Sequence, residues 1–386
     1  MIILVFSLCI TCVSAAKTVY VDIGGNDSYN GLSKNTPKAT IQSAIDNVDT
    51  NGKIILSQGV FRGKGNYKII IQKNVSIVGV NKKTTINGGG KANLFTVRKG
   101  YKVSFKYIIF KNARTGENGG AINNNGGRCT VANSYFTGNL ALGDDMHCGR
   151  GAAIYNNESG DFSVINCTFN NNTGNMYGGA INNKYGNIFT VTNSTFKNNE
   201  AYVGGGAIDT NEGKYFSIQG SIFISNSARG VEGGAIVNKG SKLKITHSIF
   251  CNNSDANKVA VYNNNGNTTA NYNFWGSNKI DNLTRKVTVN KYYKLKISSK
   301  KANKKLSIKS KLPYSYSLLL NNNKKSKYSQ KLPKFTVSIT QNNKKIISTD
   351  IKKSISKTTR ILQKNTILRI RLFKETIASF KYTAKK

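Results

Sequence analysis

The sequence predicts an all-β chain dominated by a parallel β-helix, a solenoid whose short strands pair with the same strands one coil later. Three observations carry this reading. A glycine-rich unit recurs at Gly119-Gly120-Ala121-Ile122, Gly151-Ala152-Ala153-Ile154, Gly178-Gly179-Ala180-Ile181, Gly205-Gly206-Ala207-Ile208 and Gly233-Gly234-Ala235-Ile236. A short segment ending in Phe recurs as well, so that Phe110, Phe136, Phe169, Phe196, Phe223 and Phe250 fall at intervals of 26, 33, 27, 27 and 27 residues. Val131, Val164, Val191, Ile218 and Ile245 precede their Phe by five residues, as Phe105 precedes Phe110, and polar residues alternate between these markers. A period of this size marks a stacked array, because one repeat cannot bury its own apolar face. The alternation is that of strands with one buried face. No repeat carries ten residues of helical periodicity, which excludes helical solenoids and leucine-rich horseshoes.

The elements follow in chain order. Residues 1–16 form an apolar run ending in small residues, Val13-Ser14-Ala15-Ala16, and read as a secretory signal without a basic n-region. A membrane anchor is the alternative, for which the run is short, and no later segment is long and apolar enough to span a bilayer. A first strand is expected over 18–22 and a turn at Gly24-Gly25-Asn26-Asp27. An amphipathic helix over 37–45, with Ile41, Ala44 and Ile45 on one face, is placed to cap the open end of the solenoid. Strands are expected at 53–56, 68–72 and 75–78. Asn139, Asn172, Asn199, Asn226 and Asn253, each three residues past its Phe, read as a turn ladder: left-handed backbone, with each amide bonded to the next coil. The β-helix is assigned to residues 17–282.

Composition changes at that point. Residues 1–282 hold 28 Lys and Arg against 15 Asp and Glu, net +13, whereas residues 283–386 hold 29 against 2, net +27. Alternating stretches at 304–309, 334–339 and 366–373, with a hairpin turn at Asn342-Asn343, suit a small immunoglobulin-like β-sandwich. A loosely structured basic linker is the competing reading. Lys, Asn and Ile are abundant throughout, so compositional bias accounts for charge but not for its concentration in one part of the chain. A surface this basic attracts polyanions. Export, the dominance of Lys over Arg and the lack of any RNA-binding motif direct the expectation to anionic wall polymers or glycans, with no specific nucleic acid.

Further residues carry a resemblance. Val19-Tyr20-Val21-Asp22, Gly25-Asn26-Asp27-Ser28, Ala39-Thr40-Ile41-Gln42-Ser43-Ala44-Ile45-Asp46 and Gly59-Val60-Phe61 resemble the start of pectin-lyase-like right-handed β-helix proteins. The Gly-Gly-Ala-Ile repeats followed by Asn-Ser-x-Phe and Asn-Asn resemble those of polymorphic outer-membrane proteins, and more closely those of adhesin-like surface proteins of methanogenic archaea. Asn271-Tyr272-Asn273-Phe274-Trp275-Gly276, with the single Trp, is similar to the close of the β-helix in that last family. The resemblance spans about residues 18–280. It implies a right-handed parallel β-helix at a cell surface and, for some holders of the fold, polysaccharide cleavage.

Cleavage needs a carboxylate cluster for hydrolysis, or a calcium-binding carboxylate set with a Lys or Arg base. The acidic candidates are Asp144-Asp145 with His147, in the one 33-residue interval, and Asp209 with Glu212; both are expected to be solvated. The chain holds two His, His147 and His247, and no metal-ligand spacing, so no cofactor is expected. Cys129, Cys148, Cys167 and Cys251 remain after the signal; a disulfide from Cys148 to Cys129 or Cys167 and free buried thiols are both open. Nine glycosylation sequons occur. Asn26, Asn74, Asn157, Asn171, Asn252, Asn267 and Asn282 are candidates for modification, and Asn166 and Asn193, placed on strands, are expected to be blocked. The function expected is a non-enzymatic, secreted or cell-surface adhesin-like protein that binds cell-wall or host glycans or partner cell surfaces, with its basic C-terminal domain on anionic wall polymer; a secreted polysaccharide lyase or glycoside hydrolase is the alternative.

Overall fold

The computed structural model describes residues 16–81, 83–143, 149–373 and 375–385. Most of the signal-like segment lies outside them. Three long sheets run along a parallel β-helix. The first holds ten strands from Thr18–Val21 to Asn267–Asn271, all paired parallel. The third holds nine, from Ile69–Ile71 to Thr284–Arg285. The second begins at Gly59–Phe61 and continues beyond the β-helix. A narrow five-stranded ladder of two-residue strands, Arg114–Thr115 to Ser227–Ala228, fills one corner. Parallel crossovers of this kind are right-handed in nearly all proteins.

In-register pairing brings like residues together. Val131, Val164, Val191, Ile218 and Ile245 are successive partners in the first sheet and are all buried, as expected. The phenylalanines stack from Phe110 to Phe250 with centroids 4.5–4.8 Å apart and rings within 8° of parallel, and Trp275 closes the column 4.7 Å from Phe250. Each such pair contributes roughly 0.5–1.5 kcal/mol beyond its burial. The recurrent glycine pair has a steric cause. Gly205 has φ +62°, and a Cβ on Gly206 would stand 2.2 Å from the Ser227 carbonyl oxygen of the next coil.

The asparagine column forms the expected ladder. The Nδ2 of Asn139, Asn172, Asn199 and Asn226 each donates to Oδ1 of the next ladder residue at 2.8–2.9 Å, and all five side chains are buried. The left-handed residue, however, is the one before: Gly138, Asn171, Asn198, Ser225 and Asn252 have φ of 52–63°. The preceding residue makes the turn, which leaves the ladder Asn free to point inward and receive the backbone N–H of the coil before it, as Asn226 does for Asn199 at 3.1 Å. A second interior ladder, Asn124 to Asn156 to Asn183, has bonds of 2.6 and 2.7 Å.

At the N-terminal end, the helix Ile41–Asn47 is capped by Thr40, whose hydroxyl accepts from Ser43 N, and it buries Ile41, Ala44 and Ile45 in the solenoid core. Asp27 pins its start by accepting from Ala39 N, Thr40 N and Thr40 Oγ1 at 2.8–2.9 Å. No helix among the described residues is long and apolar enough to cross a membrane.

The change in composition near 283 is not a break in the structure. Thr284–Arg285 still pairs with Val261 and Tyr262, and Tyr292–Ser298 pairs parallel with Asn273–Phe274 on one side and antiparallel with Lys311–Leu320 on the other. Ile355–Arg360 completes that sheet. A second antiparallel sheet has the order Lys344–Asp350, Thr336–Gln341, Asn365–Leu372, Glu375–Thr383. Tyr293, Leu295, Tyr316, Val337, Ile339, Leu368 and Ile370 share one apolar cluster, joined by Ile249, Cys251 and Phe274 from the solenoid. The basic region is therefore folded, and its core includes solenoid residues. Asn342 and Asn343 form the left-handed hairpin turn as read. The strand expected at 304–309 does not form: the segment is a run of turns with one isolated bridge, Ser307 to Lys385, and only Leu306 packs on the apolar cluster, because Lys304, Lys305 and Lys309 leave it little else to bury.

Replacing Asn199 with Ala is expected to destabilise the fold by on the order of 3 kcal/mol, since Asn172 N and Nδ2 lose their shared acceptor, Asn199 Oδ1, while the Phe169 carbonyl and Asn226 Oδ1 each lose a donor. Val191→Asp, which buries an unpaired charge, costs several kcal/mol. Denaturant unfolding of both variants checks the register; parent-like midpoints contradict it.

Candidate functional site

Strands of the third sheet point their first and third residues into the core and their second outward, but the outward column is covered. Tyr155, Asn182, Asp209, Val237 and Tyr262 follow one another in register and are at most 9% exposed. Around them, Arg150 and Tyr177 lie just before glycine turns of the repeat, and Glu232 precedes Gly233. Lys239 Nζ lies 2.7 Å from Glu232 Oε2 and 3.4 Å from the centre of the Tyr177 ring. The Arg150 guanidinium lies 5.4 Å from the same ring. Asn182 Nδ2 donates to Asp209, while Asn182 Oδ1, Asp209 Oδ1 and Arg150 Nε are buried without a hydrogen-bond partner among the described residues.

This corrects the expectation for the acidic pair. Glu212 is exposed on a left-handed turn, but Asp209 is 1% exposed and three residues away on the sheet, so the two do not act together. Burial pushes the Asp209 carboxyl up to about 7 despite the nearby charges of Lys239 and Arg150. Burial works against the Lys239 ammonium, but its bond to Glu232 and the nearby Tyr177 and Asp209 hold it above its ordinary value. Two carboxyl groups and two cations thus converge on one lateral face. An elimination base needs a neutral amine near the working pH, and here the amine is held protonated. Among the described residues no group of three His, Cys, Asp or Glu is placed to hold a metal. The arrangement tethers the loops before the glycine turns to the sheet. A signal was available in the sequence: Val237 occupies the Asp209 position one coil later, so the column is apolar on one side.

The remaining candidates are dispersed. Asp144, Asp145, His147 and Cys148 lie outside the described residues. Cys129 and Cys167 are buried thiols; Cys129 donates to Asn124 Oδ1, and burial pushes Cys167 up to about 12. His247 stacks on Tyr272 at 5.6 Å and meets Tyr328 from the segment Lys327–Lys331, which packs on the solenoid; burial and the nearby Lys331 and Lys244 lower its pKa. Of the sequons, Asn26, Asn171, Asn252, Asn267 and Asn282 are exposed, and Asn74 and Asn157 are half-buried. Asn166 and Asn193 are also exposed, against expectation. They are left-handed turn residues at φ +52° and +51°, because the bend between the first and second sheets falls there and not on a strand.

The basic C-terminal module supplies the other candidate surface. None of its described Lys and Arg side chains is buried, while its core is filled by Leu, Ile, Val and Tyr. Lys344, Lys345, Lys353, Lys357, Arg360 and Lys364 are all exposed on strands or their connections, so the charge faces solvent.

No protein-family model matches the chain, and no curated protein matches it in sequence. Among solved structures, a pectate lyase is 17% identical, with 72% of this chain and 78% of that chain covered and a TM-score of 0.37. A rhamnogalacturonan lyase is 13% identical, with 66% and 74% covered and a TM-score of 0.32. Both likenesses are distant, and the activities are those of the two neighbours.

The Asp209 cluster sets a pH dependence. An acid whose folded value is about 7, above its ordinary 3.8, adds stability that is complete below about 4 and is lost as pH rises through 7. The parent is expected to lose several degrees of melting temperature between pH 4.5 and 8 relative to Asp209→Asn. Parallel pH profiles for the two proteins contradict the assignment.

Proposed function

We propose that the chain is a non-enzymatic, adhesin-like protein of the cell surface. In this reading the β-helix is a rigid stalk or recognition surface, and the basic C-terminal module, an immunoglobulin-like sandwich in form, holds the protein to anionic wall polymer or glycan. The observation that carries the reading is the outward placement of the positive charge on a folded module: net +27 over residues 283–386, with no described cation buried. Such a surface gains affinity for a polyanion by releasing its counterions. Exposed sequons suit a glycosylated exterior, and the apolar start of the chain suits export.

Polysaccharide cleavage is the second reading, favoured by the convergence of Asp209, Glu232, Lys239 and Arg150 on one lateral face. The enclosure of Asp209 and the proton-loaded Lys239 speak for a tether instead. Polyuronate shortened by the purified protein, and not by Lys239→Met, would reverse that preference.

The solenoid and the module share a core, so the test keeps the chain whole. Changing Lys344, Lys345, Lys353, Lys357, Arg360 and Lys364 to Gln is expected to weaken retention on isolated anionic cell walls by about tenfold or more at low salt. Parent retention should fade by about 0.5 M salt, where screening is short-ranged. Retention unchanged in the variant, or unchanged by salt, overturns the proposal.

A further inference from the structure

One corner of the solenoid changes its residues where the C-terminal module touches it. The bend between the first and second sheets is made by one left-handed residue per coil, Asn133, Asn166, Asn193, Gly220, His247 and Tyr272, with φ of 51–60°. Asn166 and Asn193 face solvent, and Asn166 Nδ2 donates to Asn133 Oδ1 at 2.6 Å. The column then turns to Gly, His and Tyr, and there the segment Lys327–Lys331 lies on it. A Cβ on Gly220 would stand 3.9 Å from the Lys331 carbonyl oxygen. The His247 ring meets Tyr272, stacked at 5.6 Å and 4° from parallel, and Tyr328, edge-on at 6.3 Å. Tyr272 and Tyr328 meet each other at 5.5 Å.

Charge does not hold the segment there. Residues 321–332 contain Lys324, Lys325, Lys327 and Lys331 and neither Asp nor Glu. No side chain of Lys327–Lys331 is buried. His247 is 9% exposed, and neither of its ring nitrogens has a hydrogen-bond partner among the described residues. Lys244 faces the ring from its own strand, and Lys331 faces it from the segment; both charges, with burial, hold its pKa below the ordinary 6.5. Behind Tyr272, Lys291 Nζ stands 5.6 Å from the ring centre, and Lys327 and Lys331 stand 5.4 and 5.3 Å from that of Tyr328. Tyr293 closes the surround, its hydroxyl 3.4 Å from Ser326 Oγ. Each of these groups is a cation or a phenol.

We infer that Ser326–Leu332 is an acid-released latch, seated on the solenoid by the uncharged His247 ring. Protonation puts a charge with two N–H donors, and no hydrogen-bond partner, into a site faced by cations and phenols. The Tyr272 ring attracts such a charge, but Lys291 already stands over it, and Lys331 and Lys244 oppose it. A base whose folded value lies below its ordinary 6.5 contributes stability that is present above that pH and lost as pH falls through the folded value. The segment is the part that can move. Tyr328 and Lys331 belong to a stretch with no buried side chain, whereas Lys244 and Tyr272 belong to the solenoid. Leu332 on one side and Ile249, Cys251 and Phe274 on the other stay in the shared core, so the module remains attached while the segment lifts. Asp209 has the opposite sign, its stability being lost as pH rises, so it does not mimic the latch. The inference does not depend on which polymer the module binds.

The test is hydrogen exchange along the full chain at about pH 7 and about pH 5, with rates corrected for the intrinsic effect of pH. In the parent, peptides covering 321–332 are expected to lose protection about fivefold or more at the lower pH, while peptides over 188–196 in the solenoid keep theirs. His247→Phe retains a ring at a left-handed bend where Tyr272 carries one in the next coil, and it cannot take up a proton. Its segment should stay protected at both pH values. Lys331→Gln, at an exposed position, removes one opposing charge and should move the loss to lower pH, which keeps the inference testable if His247→Phe does not fold. Four outcomes overturn the inference: equal protection of the parent segment at both pH values, equal loss in His247→Phe, loss at 188–196 together with the segment, or an unmoved transition in Lys331→Gln. Retention on cell walls by the C-terminal Gln variant reports on the proposed function separately.

Discussion

Parallel strands stacked coil on coil with the same register oblige each side chain to meet its own counterpart about 4.8 Å away. Nearly every feature of this molecule answers that constraint. Apolar residues satisfy it easily: Phe on Phe stacks with near-parallel rings, and Val on Val or Ile fills a continuous core. A buried polar side chain satisfies it only if it both donates and accepts, since each must serve as partner to an identical group. The amide of Asn does both, which is why Asn forms the interior ladders. A buried carboxylate stacked on its own kind would be repelled. The single Asp in an outward but covered column sits between Asn182 and Val237 instead, with its carboxyl shifted toward the neutral form.

The same constraint explains what could be read from the sequence. The columns at Val191 and Phe196 were legible because an apolar marker repeated every 27 residues admits one interpretation. The asparagine ladder was legible as a ladder, but its backbone was misplaced by one residue. Asn favours both left-handed turns and amide ladders, and Asn171-Asn172 or Asn252-Asn253 offers both to the same bend. Asn166 and Asn193 were misread for a similar reason, as Asn at the end of a strand is also the residue that ends it. In the C-terminal module no period guides the eye. The alternation at 366–373 was clear, but Lys311–Leu320 and Ile355–Arg360 were not singled out, and the lysine-rich 304–309 had the pattern without enough apolar surface to keep it.

The sites divide along the same line. Burial of Asp209 depends on loops preceding the glycine turns, and loop cover leaves almost no trace in a local pattern. The continuity of Tyr292–Ser298 with both the solenoid and the antiparallel module was invisible to composition, which changes just there. That continuity matters for function. A charged module that shares Ile249, Cys251 and Phe274 with the solenoid is held in a fixed position relative to the coils.

If in-register stacking is what holds this chain together, whole coils are exchangeable units and fractions of a coil are not. Deleting residues 194–220 removes one 27-residue period and joins Asn193 to Ser221, so that Asn172 meets Asn226 and Phe169 meets Phe223. Deleting 194–207 instead removes about half a coil and sets every later column against the wrong neighbour. The measurement is cooperative unfolding of the two deletion proteins, followed by circular dichroism with increasing denaturant. The account predicts a single cooperative transition and a β-rich spectrum for the full-period deletion, and no folded state for the half-period one. Similar behaviour of the two, whether both fold or both fail, would contradict it.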